Sequence, residues 1–465
     1  MMGVYGDTFR PIAAAKTGKA RIMKRVTEWT AAGIALLLLF QSAALPSESQ
    51  ELIAYLERNV RALDTAEDLD PLMERIGSAR LVLLGEASHG TSEYYTWRAA
   101  ISKRLIVEKG FDFIAVEGDW PSCYTVNRYV KGLPDSPRTA DEALASFRRW
   151  PRWMWANEET RELVEWLRRH NADLAAEKRA GFFGLDLYSL PESMDAVLDY
   201  KAQAKPDLAD KARQHYQCLM RFRDNPQVYA RYTAQFGQDC SAQVRAVLEL
   251  LREESDDLEL KDRKEYFNAK QNALLVKNAE RHYRAMTDAR LNSWNERVGH
   301  MQLTLRRLLE YHGPQSKGIV WAHNTHVGDA RATSMVAEGM QNIGQLTREQ
   351  FGPDAVVAVG FGTHRGAVLA GRNWGAAVET MRVPPAIPGS VEDLFNGVKP
   401  DRFLLVFDRQ DRESPLRMPR GHRAKGVVYN PQTEAHNYVP TILPQRYDAF
   451  IFIDETSALR AIEMP

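Results

Sequence analysis

The stretch LVLLGEASHG, residues 81–90, runs from four aliphatic residues directly into a glycine, an acid and a histidine. A short apolar run that ends at a glycine is typical of a strand buried on both faces of an α/β sheet. Glu86 and His89 follow that run, where open α/β sheets usually bind their ligands. The stretch therefore predicts an α/β fold and a functional role for Glu86 and His89.

Further apolar runs share the length and the Gly or Asp flanks of the first. They are Phe111–Val116, Gly181–Leu185, Gly318–Ala322, Ala355–Val359, Phe403–Phe407 and Ala449–Ile453. Helical patterns separate several of them, which favours parallel pairing. The segment 193–316 lacks such runs and is rich in Glu, Lys, Arg, Leu and Ala, as amphipathic helices are. We predict a mixed, partly parallel central sheet flanked by helices, with a large all-helical insertion.

This pattern divides the chain into a leader, an interrupted core and the insertion. The leader is 1–50, the two parts of the α/β catalytic core are 51–192 and 317–465, and the insertion is 193–316. The leader places basic residues before the apolar run Ala31–Phe40 and small residues after it, which is the layout of a secretory signal. The protein is therefore expected to be cytoplasmic, or exported if residues 23–45 act as a signal peptide. No segment of the mature core is predicted to span a membrane.

The composition limits the classes of partner. Lys plus Arg and Asp plus Glu both total 61, so the net charge is near zero, and a nucleic-acid partner is not expected. Cys123, Cys218 and Cys240 are too few and too scattered for a disulfide framework. We expect each of them to be an ordinary thiol, and the sequence shows no zinc motif.

Polar residues follow the other apolar runs as they follow the first. They are Glu117 and Asp119 after the second run, Asp186 after the third, His323 and His326 after the fourth, and Thr363, His364 and Arg365 after the fifth. The carboxyl ends of parallel strands meet at one edge of a sheet, so these groups should converge there. Burying several ionisable groups costs several kcal/mol each unless they are paired. This convergence is the main functional signal in the sequence.

Arg98 lies about two turns into the helix predicted after the first strand. If that face of the helix meets the rim, Arg98 can hold a carboxylate or an oxyanion. The alternative is an exposed helix charge.

Two other chemistries have to be weighed. Glu86, His89, Glu117, His323 and His326 could supply nitrogen and oxygen ligands to a divalent metal, although no zincin H-E-x-x-H motif is present. In the nucleophile elbow G-x-S-x-G, a serine follows a strand. Here EASHG has Glu86 in place of the first glycine, so Ser88 is a poor match.

Six blocks in one order resemble the erythromycin esterase family, over about Ile76 to Leu459. They are GEASHGTSEYYTWRAAISKRLI, FDFIAVEGDWPSCYTVNRYV, WPRWMWANEET, GFFGLDLYSL, IVWAHNTHVGDA and VGFGTHRGAV. The resemblance implies an α/β core with a large helical part. It also implies hydrolysis of a macrolactone ester by activated water, without a covalent serine intermediate. A role in antibiotic resistance would follow. We expect no cofactor to be required, and the divalent metal considered above stays an alternative.

The resemblance also implies roles for individual residues. His89 is similar to the family's general base, and Glu86 and Glu117 are similar to the carboxylates around that base. Arg98 is similar to the family's active-site arginine. His323, together with His326, is similar to the family's second active-site histidine. We further expect His326, Asp119, His364 and Arg365 to contact substrate. One departure is WNERVGHM, which keeps Arg297, His300 and Met301 but has Val298 and Gly299 where relatives carry charges.

The expected activity is thus hydrolysis of a small-molecule carboxylic ester or lactone by water that a histidine activates. Two alternatives stay open at the level of sequence. One is a metal-dependent hydrolase of another bond, and the other is a non-catalytic protein that binds a large apolar ligand.

Overall fold

The computed structural model describes residues 50–204, 206–252, 262–288, 290–408, 410–411 and 414–463. The predicted leader lies, except for residue 50, outside these residues. Within them, no helix combines the length and the apolar character needed to cross a bilayer.

A nine-stranded mixed sheet forms the centre of the fold. Its strands are β1 Val60–Ala62, β2 Leu81–Leu84, β3 Phe113–Asp119, β4 Gly181–Asp186, β5 Gly318–Trp321, β6 Val356–Gly371, β7 Val378–Val383, β8 Arg402–Val406 and β11 Ala449–Thr456. Their order is β1-β8-β11-β6-β2-β5-β3-β4, and β7 pairs with β6. From β11 to β4 the neighbours are parallel, while β1, β7 and β8 pair antiparallel. A separate antiparallel pair joins β9 Arg420–Arg423 to β10 Tyr438–Thr441.

Helices connect the strands and cover the sheet. They are α1 over 50–59, α2 Asp70–Ile76, α3 Ser92–Lys109, α4 Trp120–Lys131, α5 Ala140–Leu144, α6 Glu158–Asn171, α7 Leu190–Ala204, α8 Pro206–Met220, α9 Pro226–Phe236, α10 Ser241–Arg252, α11 Arg263–Ala285, α12 Ser293–His312, α13 Asn324–Val327, α14 Ile343–Phe351, α15 Val391–Asn396 and α16 Leu443–Arg446. In the described residues between β4 and β5 the regular elements are all helical. The predicted fold class, with its helical insertion, is confirmed.

The core explains why the strands are continuous apolar runs. Leu81 and Leu83 of β2 belong to the hydrophobic cluster on one face of the sheet, and Val82 and Leu84 belong to the cluster on the other. Because alternate side chains enter two different cores, every position in a central strand must be apolar.

Two expectations from the sequence are wrong. Cys218 and Cys240 form a disulfide, and Cys123 alone is a free, buried thiol. The sequence predicted only free thiols because cysteine spacing does not show which residues meet in the fold. Packing of the helices in the insertion brings Cys218 and Cys240 together. The fifth apolar run also does not end near Val359, because β6 continues to Gly371 with β7 as its partner.

Candidate functional site

The site lies at the carboxyl ends of four adjacent parallel strands. The order β2-β5-β3-β4 brings together residues that are far apart in the sequence. β2 contributes Glu86 and His89, β5 contributes His323 and His326, β3 contributes Glu117, and β4 contributes Asp186. Four of the five strand ends expected to converge thus do so in the fold, and the fifth does not.

His89 is held by the carboxylate that precedes it by three residues. Its Nδ1 lies 2.9 Å from Glu86 Oε1, and Arg98 donates from Nη2 to the other oxygen, Oε2, at 2.8 Å. Because a carboxylate accepts, Nδ1 carries the proton in the neutral ring and Nε2 keeps its lone pair. Glu86 therefore orients His89 and fixes its tautomer.

Arg98 supports this pair from behind. Its side chain is fully buried, and its guanidinium carbon lies 4.3 Å from the ring centroid of Tyr95 and 4.6 Å from that of Trp321. Arg98 thus binds a carboxylate, which was one of the two roles predicted for it at the rim. The alternative prediction of an exposed helix charge is wrong. The residues that line the cleft, among those described, do not include Arg98, so an oxyanion contact is not seen.

The pKa of His89 is raised above its usual value of 6.5. Burial alone would lower this pKa, but the hydrogen bond to Glu86 and the negative charges of Glu117 and Glu86 outweigh burial. A raised pKa makes the imidazole a stronger proton acceptor, which suits a general base that works near neutral pH.

Arg297 connects the helical insertion to the sheet through two carboxylates. Its Nε donates to Asp186 Oδ1 at 2.9 Å, and its Nη2 donates at 2.7 Å both to Asp186 Oδ2 and to Glu117 Oε1. All three side chains are about nine-tenths buried or more. Burial raises the pKa of Glu117, yet the charges of His326 and Arg297 bring it well below its usual value. Glu117 therefore remains an anion at the centre of the site.

His323 has the tautomer opposite to that of His89. The backbone N–H of Thr325 donates to His323 Nδ1 at 3.2 Å, so in the neutral ring the proton resides on Nε2. Burial and the neighbouring charge of His89 hold the pKa of His323 well below 6.5, and the charge of Glu117 and the Ala87 carbonyl offset this only in part. Nε2 is buried, and beyond the Ala87 carbonyl no residue that the structure describes offers it a hydrogen-bond partner. His323 therefore carries a neutral N–H donor beside His89.

His326 belongs to the charged network. Its Nε2 lies 3.2 Å from Arg297 Nη1 and 3.3 Å from Glu117 Oε1. Its ring stacks on Trp294 with centroids 4.6 Å apart. The ring of His326 lines the cleft, which is compatible with the expected substrate contact. That contact stays a prediction.

The remaining predicted contacts differ in their outcome. Asp119 lines the cleft and pairs with Arg149, while burial raises the pKa of the Asp119 carboxyl. His364 and Arg365 lie inside β6 and do not line the cleft within the described residues. Arg365 instead pairs with Asp454 and Glu455. The expectation that both follow a strand end was wrong, because Gly360 and Gly362 let the backbone of β6 run on closely packed against Phe450.

Ser88 is buried beneath the turn that carries His89. Its Oγ lies 2.5 Å from Thr91 Oγ1, and the side chain has no exposed surface. Gly90 makes this turn feasible, because a Cβ there would lie 1.9 Å from the Leu369 carbonyl oxygen. Ser88 is not among the described residues that line the cleft, whereas His89 is.

A divalent metal site would require several carboxylate and histidine side chains of the cluster to point at one position. Both oxygens of Glu86 are engaged by His89 and Arg98, and Glu117 is engaged by Arg297. Over the described ranges, no group of three or more His, Cys, Asp or Glu side chains is arranged to hold a metal ion.

These groups open into a cleft of about 580 Å³, within the usual range for small-molecule sites. Besides the polar groups above, its walls are largely aromatic and apolar. They include Phe147, Trp150, Met154, Trp155, Tyr188, Met286, Trp294, Met335, Met340 and Trp374. Core, insertion and the β9–β10 region all contribute residues to these walls.

No catalytic or binding role was predicted for Arg297 or Asp186 from the sequence. Asp186 was visible as a strand-end acid, and Arg297 as a charge retained in WNERVGHM, but neither signal indicated the partner. Arg297 lies 111 residues from Asp186 and 180 from Glu117, so only the fold reveals the network.

Comparison with known proteins agrees with this architecture. A family model described as erythromycin esterase matches residues 106–456. The erythromycin esterase type II of Escherichia coli is 28% identical over 124 residues, which are 27% of this chain and 27% of that protein. The chain therefore matches about a quarter of the length of that curated relative.

Solved structures share the fold at low identity. A succinoglycan biosynthesis protein is 23% identical with a TM-score of 0.72, over 90% of this chain and 99% of that one. A Bacillus cereus protein is 22% identical with a TM-score of 0.74, over 89% and 99%. An erythromycin esterase mutant in its open conformation is 14% identical with a TM-score of 0.62, over 87% and 99%. Because the family model covers most of the sequence, the chain belongs to the erythromycin esterase family.

Proposed function

We propose that this protein hydrolyses a carboxylic ester, in particular the lactone of a macrolide, with water that His89 activates. The observation that carries the proposal is the state of His89 in the cleft. Its Nδ1–H is held by Glu86, so its basic Nε2 is left for a proton. Family membership supports an ester hydrolase at the coarser level.

The first step is attack by water on the ester carbonyl carbon. His89 Nε2 takes one proton as the water oxygen forms the new C–O bond, and Glu86 stabilises the imidazolium that results. Negative charge develops on the carbonyl oxygen. The neutral Nε2–H of His323 is the donor that we assign to this oxyanion. The ring centroids of His323 and His89 lie 5.0 Å apart.

The second step is collapse of the tetrahedral intermediate. The ester C–O bond breaks, and the leaving alkoxide takes the proton from the His89 imidazolium. The products are a carboxylic acid and an alcohol, which a lactone keeps in one molecule. Arg98, Glu117, Arg297 and Asp186 act as positioning residues, because they fix Glu86 and the charge around the histidines.

The cleft supports a large, mostly apolar substrate. Its volume of about 580 Å³ and its aromatic walls suit a macrocycle better than a short-chain ester. Opening such a ring would inactivate a macrolide, so we propose a role in antibiotic resistance.

The test is to incubate the purified protein with erythromycin and with simpler lactones in water labelled with heavy oxygen. We expect a product one water heavier than the substrate, with the label in its carboxylate, and no acylated protein in the mass spectrum. An unchanged lactone in every reaction would refute hydrolysis, and an acylated Ser88 would refute direct attack by water.

A further inference from the structure

We propose that His282 forms a subsite that binds a hydroxyl group of the substrate next to an apolar ring. This inference rests on the proposed function, since it names a feature of the substrate that the same cleft would take. His282 lies on α11 of the helical insertion, outside the cluster of residues that surrounds His89.

The hydrogen bonds of His282 fix its tautomer. Its Nδ1 lies 2.9 Å from the backbone carbonyl oxygen of Ser293, and a carbonyl only accepts, so Nδ1 carries the proton. Burial lowers the pKa of His282 to about 4, and the positive charge of Arg297 contributes. At neutral pH the ring is therefore uncharged and its Nε2 is an acceptor.

Among the residues that the structure describes, this acceptor has no partner. Nε2 is buried and makes no hydrogen bond to any of the residues that the structure describes, while the ring lines the cleft. A buried acceptor without a donor carries a free-energy cost, because it has lost its hydrogen bond to water. A substrate that supplies a donor at this point recovers that cost, and a substrate that supplies none does not.

A row of aromatic rings extends from His282 along the cleft. The ring of Tyr188 meets His282 edge to face at 5.7 Å, Trp374 lies 6.5 Å from Tyr188, and Trp150 lies 4.6 Å from Trp374. All four rings line the cleft. Tyr188 also lies 5.0 Å from the guanidinium of Arg297, so this arm of the cleft is continuous with the charged network.

The ligand chemistry follows from these groups. A bare imidazole nitrogen repels an anion and accepts a hydrogen bond, so the ligand must supply a donor there. A hydroxyl group is such a donor, and the adjacent rings pack against the apolar face of a ring that carries it. The geometry points to a hydroxylated cyclic substrate, with the hydroxyl directed at His282 Nε2.

The test compares erythromycin with its per-O-methylated derivative, which has lost its hydroxyl donors. Binding is measured by quenching of the cleft tryptophans in a His89→Gln background, so that the ligand survives. Three variants are added to that background. His282→Asn keeps a donor for Ser293 but removes the Nε2 acceptor, His282→Gln places an acceptor near Nε2, and His312→Phe changes a partly buried histidine outside the described cleft wall.

We expect the background protein to bind the hydroxylated compound about tenfold more tightly than the methylated one. His282→Asn should reduce this ratio to near one, His282→Gln should restore part of it, and His312→Phe should leave it unchanged. An unchanged ratio in a folded His282→Asn variant would overturn the inference. Because the readout is binding, failure of the wild-type protein to hydrolyse erythromycin would refute the proposed function alone.

Discussion

The imidazole rings of His89 and His323 lie with their centroids 5.0 Å apart and hold opposite tautomers. Glu86 accepts from Nδ1 of His89, whereas Nδ1 of His323 accepts from the Thr325 backbone. At Nε2, His89 thus offers a base and His323 offers a hydrogen-bond donor. Activation of a water molecule requires the base, and stabilisation of a carbonyl oxygen requires the donor.

This relationship predicts different effects for two substitutions of His323. His323→Asn removes the donor at the Nε2 position, whereas His323→Gln keeps an amide N–H near it. We expect His323→Asn to lower kcat by about 10²–10³-fold with little change in KM, since the donor acts on the transition state. His323→Gln should retain substantially more activity. Equal losses in both variants, measured by steady-state kinetics on the same lactone, would argue against an oxyanion role.

The raised pKa of His89 predicts the acidic limb of the pH profile. The base must be neutral, so kcat/KM should rise with pH through an apparent pKa above 6.5. Glu86→Gln removes the largest cause that raises this pKa, and the limb should move to lower pH. The plateau should also fall by about 10²–10⁴-fold, because the tautomer is no longer fixed.

The control for that experiment is Glu93→Gln, in the first turn of α3, the helix that follows the turn carrying Glu86 and His89. Glu93 accepts hydrogen bonds from Ser457 and is not among the described residues of the cleft wall. Its profile should match the wild type. A Glu86→Gln limb at the wild-type position would show that Glu86 does not set the pKa of the base.

Arg98 predicts a large effect on stability as well as on activity. Arg98→Met leaves the buried Glu86 carboxylate without its cationic partner, which costs roughly 3–5 kcal/mol in the free energy of unfolding. Arg104→Met, on the same helix, breaks ion pairs to the half-exposed Glu108 and the exposed Asp70, so about 1 kcal/mol or less is expected. Denaturant unfolding measures both. Similar losses in the two variants would contradict the buried pairing.

The disulfide in the insertion predicts a stability effect with little effect on chemistry. Cys218 and Cys240 are 22 residues apart, and opening a loop of that length should cost about 2–4 kcal/mol. Neither residue belongs to the described cleft wall, so Cys218→Ser with Cys240→Ser should keep kcat near wild type at low temperature. Thiol titration of the denatured, unreduced protein should detect Cys123 alone. Three reactive thiols in protein prepared under oxidising conditions would refute the pairing.

The sequence predicts the central strands well for a physical reason. β2, β3, β4 and β5 are buried on both faces, so they appear as continuous apolar runs with few alternatives. β7 escapes this reasoning because Glu379, Thr380 and Arg382 are exposed and it forms only as the partner of the extended half of β6. The missed extension of β6 in turn misplaced His364 and Arg365.

The site was predicted to the same extent as its strands. Four of its residues directly follow apolar runs that are recognisable in the sequence, and parallel strand pairing brings them together. They are Glu86, His89, Glu117 and His323. Arg297 and His282 lie on helices of the insertion, where position relative to the sheet depends on tertiary packing. No local pattern distinguishes such residues from ordinary helix-face polar groups.

In the proposed mechanism His89, and not Ser88, activates the attacking water. The most direct measurement is kcat/KM for one hydrolysed lactone in His89→Gln and Ser88→Ala, with folding checked by circular dichroism. We predict a loss of about 10²–10⁴-fold in His89→Gln and a change of no more than a few-fold in Ser88→Ala. Wild-type turnover in His89→Gln, or a large loss confined to Ser88→Ala, would rule out His89 as the general base.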